Sequence, residues 1–167
     1  MSIQDLGAIG EIIGAAAVVA SLLYLAVQIR QSSRIAKAST TQSLLGYSAQ
    51  MNTAAAGDIA PVMAKVLSAQ ELNPNEKYQY FAYMLAAFAQ CWQAHHQYVN
   101  GMLEREVFEA YERRTLSFLV RPNAREFWER NRFRFSTTFC DYVDALAERA
   151  DSPGEHKRFP EILNSSE

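Results

Sequence analysis

Residues Ile12 to Ile29, IIGAAAVVASLLYLAVQI, contain no Asp, Glu, Lys, Arg or His, and this constrains the chain more than any other stretch. At about 1.5 Å rise per residue the segment spans roughly 27 Å as a helix, the thickness of a bilayer's hydrocarbon core. A single membrane-spanning helix is the expectation. A cleavable signal would need a basic leader, but Met1 to Leu6 carries only Asp5, so the segment is expected to stay attached. The first basic residues, Arg30, Arg34 and Lys37, follow the apolar run. Such a flank turns toward the cytoplasm and meets the membrane surface, so the N-terminus is expected outside and the rest of the chain inside.

Along the anchor, small residues recur at Gly7, Gly10, Gly14, Ala17 and Ser21, at alternating spacings of three and four, and Tyr24 and Gln28 continue the line. Lipid offers no hydrophobic drive between helices, so close backbone approach over small side chains is a main source of association. The seam predicts self-association, with side-chain amides from Gln28 and Gln31 bonding between copies. Glu11 flanks this line at the outer edge. An ionisable group there is either an interfacial side chain or, as the alternative, the outer mouth of a homo-oligomeric ion-conducting pore.

Beyond Arg30 the sequence is rich in Ser, Thr, Gln and Ala without proline, so the helix is expected to run on. Gly57 and Asp58 read as a stop and a new N-cap, followed by the apolar stripe Ile59, Val62, Met63, Val66 and Leu67. Asn73, Pro74 and Glu76 form a capping-box start. From Tyr78 to Leu103 there is no Asp, Glu, Lys or Arg, yet the dense apolar part is short and ends in Gln93, His95, His96 and Gln97. That pattern fits the central helix of a bundle better than a second span. Gly101 closes it and Glu104 opens a helix with Val107, Phe108, Tyr111, Phe118 and Leu119 on one face, ended by Arg121-Pro122. A shorter piece over Ala124 to Arg134 and a final helix capped by Ser136, with Phe139, Val143, Leu146 and Ala147 inward, complete the set. The fold class is all-α: one N-terminal transmembrane helix continuing into a cytoplasmic helical bundle. The expected divisions are an anchor over 1–30, a helical extension over 31–57, the bundle over 58–150 and a polar tail over 151–167.

As a set these residues are familiar. The run LGAIGEIIGAAAVVASLLYLAVQIRQSSR resembles the anchor of a widespread, uncharacterised family of bacterial membrane proteins, a domain of unknown function whose anchor follows the pattern LGxIGExIGAxAVVxSLxYLAxQIRQ. YVNGMLEREVF, REFWERNRFRFSTTF and DYVDAL look like the rest of its pattern. The resemblance implies a bacterial inner membrane and a helical cytoplasmic domain, and it implies no activity.

Chemistry-bearing motifs are sparse. Dinucleotide, triphosphate, acyl-transfer and metalloprotease signatures are missing, so the chain is not expected to be an enzyme, and no cofactor or metal is expected. Cys91 and His95, four apart, would carry the remaining alternative, a metal or redox site completed by Cys140 or His156. The neighbours Phe88, Ala89 and Trp92 suggest instead a buried thiol. Arg121, Arg125, Arg130, Arg132 and Arg134 form a locally basic stretch that intramolecular ion pairs with Glu126 and others are expected to absorb. With 16 basic and 18 acidic residues overall, no nucleic-acid partner is expected. The expected partners are the lipid bilayer, further copies of the chain, and a protein at the bundle.

Overall fold

A computed structural model describes the backbone of residues 3–151 and the side chains of residue 7 and residues 11–151. Within them the protein is all-α, with six α-helices, one 3-10 turn and no strand. The helices are α1 (Ile3–Ala56), α2 (Ala60–Leu67), α3 (Pro74–Val99), α4 (Arg105–Leu119), α5 (Pro122–Asn131) and α6 (Thr137–Ala150), with the 3-10 turn at Arg132–Arg134. By contacts the chain divides between Ser39 and Thr40.

The first unit is the leading part of α1, whose described side chains from Glu11 to Ile35 are all exposed. The second unit is a bundle organised on α3. Its core side chains, Met84, Ala87, Phe88, Cys91 and Ala94, are all 2% exposed or less. Phe88 is the hub. Its ring lies 5.1 Å from Trp128, 5.7 Å from Phe118 and 5.9 Å from Phe127. Phe139, Val143 and Leu146 of α6 close the same cluster. A second cluster joins Leu44 of α1 to Ala94, Leu103, Phe108 and Tyr111, so the later part of α1 contributes a core residue.

Local signals explain most of the element starts. Asn73 accepts the Glu76 backbone N–H at 2.9 Å, and Glu76 accepts the Asn73 N–H at 2.9 Å, the reciprocal capping box. Lys65 donates to the other Glu76 oxygen at 2.6 Å, tying α2 to α3, and this bond first, then the Asn73 amide, holds the Glu76 carboxyl below its ordinary range. Gly101 turns the chain at φ +69°, a left-handed conformation that glycine adopts without a Cβ penalty. Pro122 opens α5 two residues earlier than its expected start at Ala124, at a position where a missing N–H costs nothing.

Two expected caps are realised differently. Ile59, not Asp58, is the cap residue of α2, and it makes no side-chain cap bond, while Pro61 in the first turn has no N–H that would need an acceptor. Ser136 does precede α6, but its hydroxyl accepts the Trp92 indole N–H at 3.0 Å instead of capping the helix. A ring nitrogen in the core must be bonded, and it takes the oxygen the helix end would have used. His156 and the expected tail over 152–167 lie outside the described residues.

Candidate membrane-spanning surface and side-chain sites

Every described side chain from Glu11 to Ile35 is exposed, including Ile12 at 69%, Leu22 at 61% and Ile29 at 70%. The apolar residues lie all around the helix, not along one stripe, so no single contact face accounts for them. Contiguous apolar surface on this scale exceeds what soluble monomers leave in water. Among the described residues one helix is long and apolar enough to cross a membrane, with a window of mean hydropathy 2.2 that is 0% buried. By the same criterion α3 does not qualify, and its apolar side chains are committed to the core.

The small-residue line is open in one copy of the chain. A Cβ built on Gly7 or Gly14 meets nothing within 4 Å, so no intrachain contact requires glycine at either position. Ala17, Ser21, Tyr24 and Gln28 are likewise exposed, while the surroundings of Gly10 fall outside the described residues. The polar members are partly satisfied within the helix. Ser21 Oγ donates to the Ala17 carbonyl at 2.8 Å, and Gln28 Nε2 donates to the Tyr24 hydroxyl at 2.7 Å. An amide expected to reach another copy thus spends one donor locally and keeps its carbonyl oxygen and second N–H. Glu11 is exposed.

The structure draws Cys91 and His95 apart chemically. Cys91 is buried, its thiol bonded to Thr115, and burial pushes its proton affinity up despite that bond and nearby Arg114. A protonated thiol in an apolar core is a poor nucleophile. His95 stacks on Tyr142 at 4.6 Å and packs near Phe108 and Phe139. Burial, aided by His96, lowers its pKa, which favours the neutral ring. Cys140 donates to the Arg132 carbonyl at 3.3 Å, and among the described residues no three His, Cys, Asp or Glu side chains converge as metal ligands would. A shallow groove lined by Tyr47, Met51, Ala86, Ala89, Gln90 and Gln93 among others holds no carboxylate, imidazole or thiol.

Three of the five arginines of the basic stretch form the expected ion pairs. Arg125 pairs with Asp151 and Glu129, Arg130 with Glu126 at 2.7 Å, and Arg132 with Asp144. Arg134 lies over the rings of Phe133 and Phe81 at 5.0 and 5.6 Å.

One polar constellation escapes the sequence reading. Gln90, 5% exposed on α3, donates to Ser48 Oγ at 2.9 Å and to the Leu44 carbonyl at 3.3 Å, and accepts from Arg114 at 2.9 Å. Tyr111 donates to the same Leu44 carbonyl at 2.9 Å and shares a bond with Ser48 at 2.8 Å. Four side chains from three helices thereby fix the register of α1 residues 44–48 against α3 and α4. The network is fully satisfied and internal, so it specifies packing rather than binding. The available signal was an amide inside an apolar run, which must find partners wherever it is buried.

Fold and surface together define an all-α protein with one candidate membrane span. No family model matches the chain, and neither a curated protein nor a solved structure matches it.

Proposed function

We propose that this is a single-pass protein of a bacterial inner membrane, N-terminus outside, whose cytoplasmic helical bundle serves as an interaction and assembly module in a homo-oligomer. The observation that carries this reading is the unbroken, fully exposed apolar surface from Ile12 to Ile29, which only lipid or other copies can cover at this extent. The basic flank Arg30, Arg34 and Lys37 supports the orientation. The open glycine positions support self-association. Beyond Gln31 the alternating spacing continues through Ile35, Ala38, Gln42 and Leu45, and the exposed aliphatic side chains Ile35 (63%) and Leu45 (56%) both fall on it. A heptad that persists past the lipid is the pattern of paired helices. The resemblance to an uncharacterised bacterial membrane family fits the same assignment.

The test is equilibrium association of the full chain in detergent or bilayers, with Gly10→Leu and Gly14→Leu beside wild type. Both variants are expected to weaken association several-fold, because leucine separates the backbones. Wild-type strength in both, or a chain that stays monomeric at every concentration, rejects the assembly reading. Ion conductance across a planar bilayer that changes its cation preference on Glu11→Gln would replace it with the pore.

A further inference from the structure

Between Glu11 and Asp58 the chain contains no carboxylate, and the only charges are Arg30, Arg34 and Lys37. Spaced at i, i+4 and i+7, they lie on one face of α1. All three are exposed, and none has an acidic partner among the described residues. Together with Ala26, Ile29 and Ser33 they line one shallow groove whose near end is apolar and whose far end is cationic. Among the other described arginines, Arg105, Arg125, Arg130, Arg132 and Arg149 pair with carboxylates, and Arg114 and Arg134 lie over rings. Here three cations are left aligned and unneutralised, which costs repulsion between like charges unless an anion sits among them.

We propose that Arg30, Arg34 and Lys37, with Ser33, form a binding face for the phosphate headgroup of an anionic phospholipid, an inference that rests on the membrane-spanning reading of α1. The geometry fits an amphiphile. Arg30 directly follows Ile29 at the apolar edge, and Arg34 and Lys37 stand about 6 and 10 Å further along the axis. The headgroup layer is roughly 5–7 Å deep on each side of a bilayer. Every Cα–Cβ bond tilts toward the helix N-terminus, here toward the membrane, so the long side chains at 34 and 37 lean back into that layer. Ala26 and Ile29 offer the apolar floor for the lipid's glycerol and upper acyl chain, and Ser33 adds a hydroxyl donor. The face also lies roughly 120° around the helix from the line of Gln28, Gln31 and Ile35, so a lipid bound here leaves the association seam open.

The experiment uses the full chain in vesicles of phosphatidylcholine with a minor share of phosphatidylglycerol, followed by native mass spectrometry of the lipid retained per chain. Wild type is expected to enrich phosphatidylglycerol at least tenfold over its share, since each basic side chain is worth about fivefold in anionic-lipid association. A variant with Arg30→Gln, Arg34→Gln and Lys37→Gln is expected to retain lipid at the bulk ratio. A second variant keeps the net charge but moves two cations off the face, by Arg30→Gln with Gln31→Arg and Arg34→Ser with Ser32→Arg, and is expected to lose most of the enrichment. Enrichment that survives neutralisation, or that is unchanged after the relocation, overturns the proposal. Displacement of the lipid by millimolar inorganic phosphate overturns it too, because the site would then take a free anion. Flotation of wild type with vesicles at alkaline pH separates the two readings. A chain that floats without enrichment loses only the lipid face, whereas a chain that does not float loses the membrane span as well.

Discussion

Two stretches of this chain, Ile12 to Ile29 and Tyr78 to Val99, both lack Asp, Glu, Lys and Arg, and they end in opposite environments. Side chains of the first are exposed throughout, while the second places Met84, Ala87, Phe88, Gln90, Cys91 and Ala94 in a protein core. Lack of charge alone does not decide where a helix lives. The first is aliphatic and small all the way round and matches no stripe elsewhere in the unit it belongs to. The second is aromatic and polar by turns, and α4, α5 and α6 present Phe118, Phe127, Trp128 and Phe139 to receive it. Partner faces in the same chain make a core helix, and where the described residues offer none the apolar surface stays exposed.

The comparison breaks most readily at its hub. Phe88→Ala should cost the bundle about 3–5 kcal/mol in urea denaturation followed by circular dichroism, as a fully buried ring is replaced by a cavity. Leu22→Ala, an equally drastic truncation in the exposed run, should leave the same transition within about 0.5 kcal/mol. Equal losses at the two sites would show that the exposed run belongs to the folded core after all. Asn73→Ala removes one half of the capping box and should cost about 1 kcal/mol by the same measurement.

Tyr111→Phe is expected to lower stability by about 0.5–1.5 kcal/mol, near the low end because Gln90 still donates to the Leu44 carbonyl. The last effect is a pH dependence confined to the bundle. Burial holds the folded pKa of His95 below the ordinary imidazole value of about 6.5, so the unfolded chain takes up a proton first. Its contribution is complete above that value and is lost as pH falls through it toward the folded pKa. Stability should therefore decline below about pH 6.5, and His95→Gln should flatten that part of the curve. The capping carboxyl Glu76 acts lower, where pH falls below the ordinary carboxylate range, because its folded pKa is also depressed.

The sequence carried what local chemistry decides. Asn73 to Glu76 reads as a capping box because its bonds span three residues, and the stripe of Phe139, Val143 and Leu146 reads as a buried face because helical period alone places it. Features that depend on distant partners were not legible. Ser136 looks like a cap until Trp92, 44 residues away, claims its oxygen. Gln90 looks like a polar interruption until Ser48, 42 residues away, bonds it. The division at Ser39 and Thr40 has no proline or glycine to mark it, because it arises where α1 begins to contribute Leu44 and Ser48 to the bundle. At the candidate span, sequence and structure agree on the apolar run, since exposure of an unpartnered helix follows directly from composition.

The most direct test of the central claim places a spin label at Leu22 or at Tyr78, both highly exposed positions, in full-length protein with Cys91→Ala and Cys140→Ala, reconstituted in vesicles. Collision rates with oxygen, which concentrates in lipid, and with a water-soluble nickel chelate then report each environment. A label at 22 that meets oxygen and is shielded from nickel, beside a label at 78 with the reverse pattern, is the predicted result. Nickel access at 22 equal to that at 78 would contradict it.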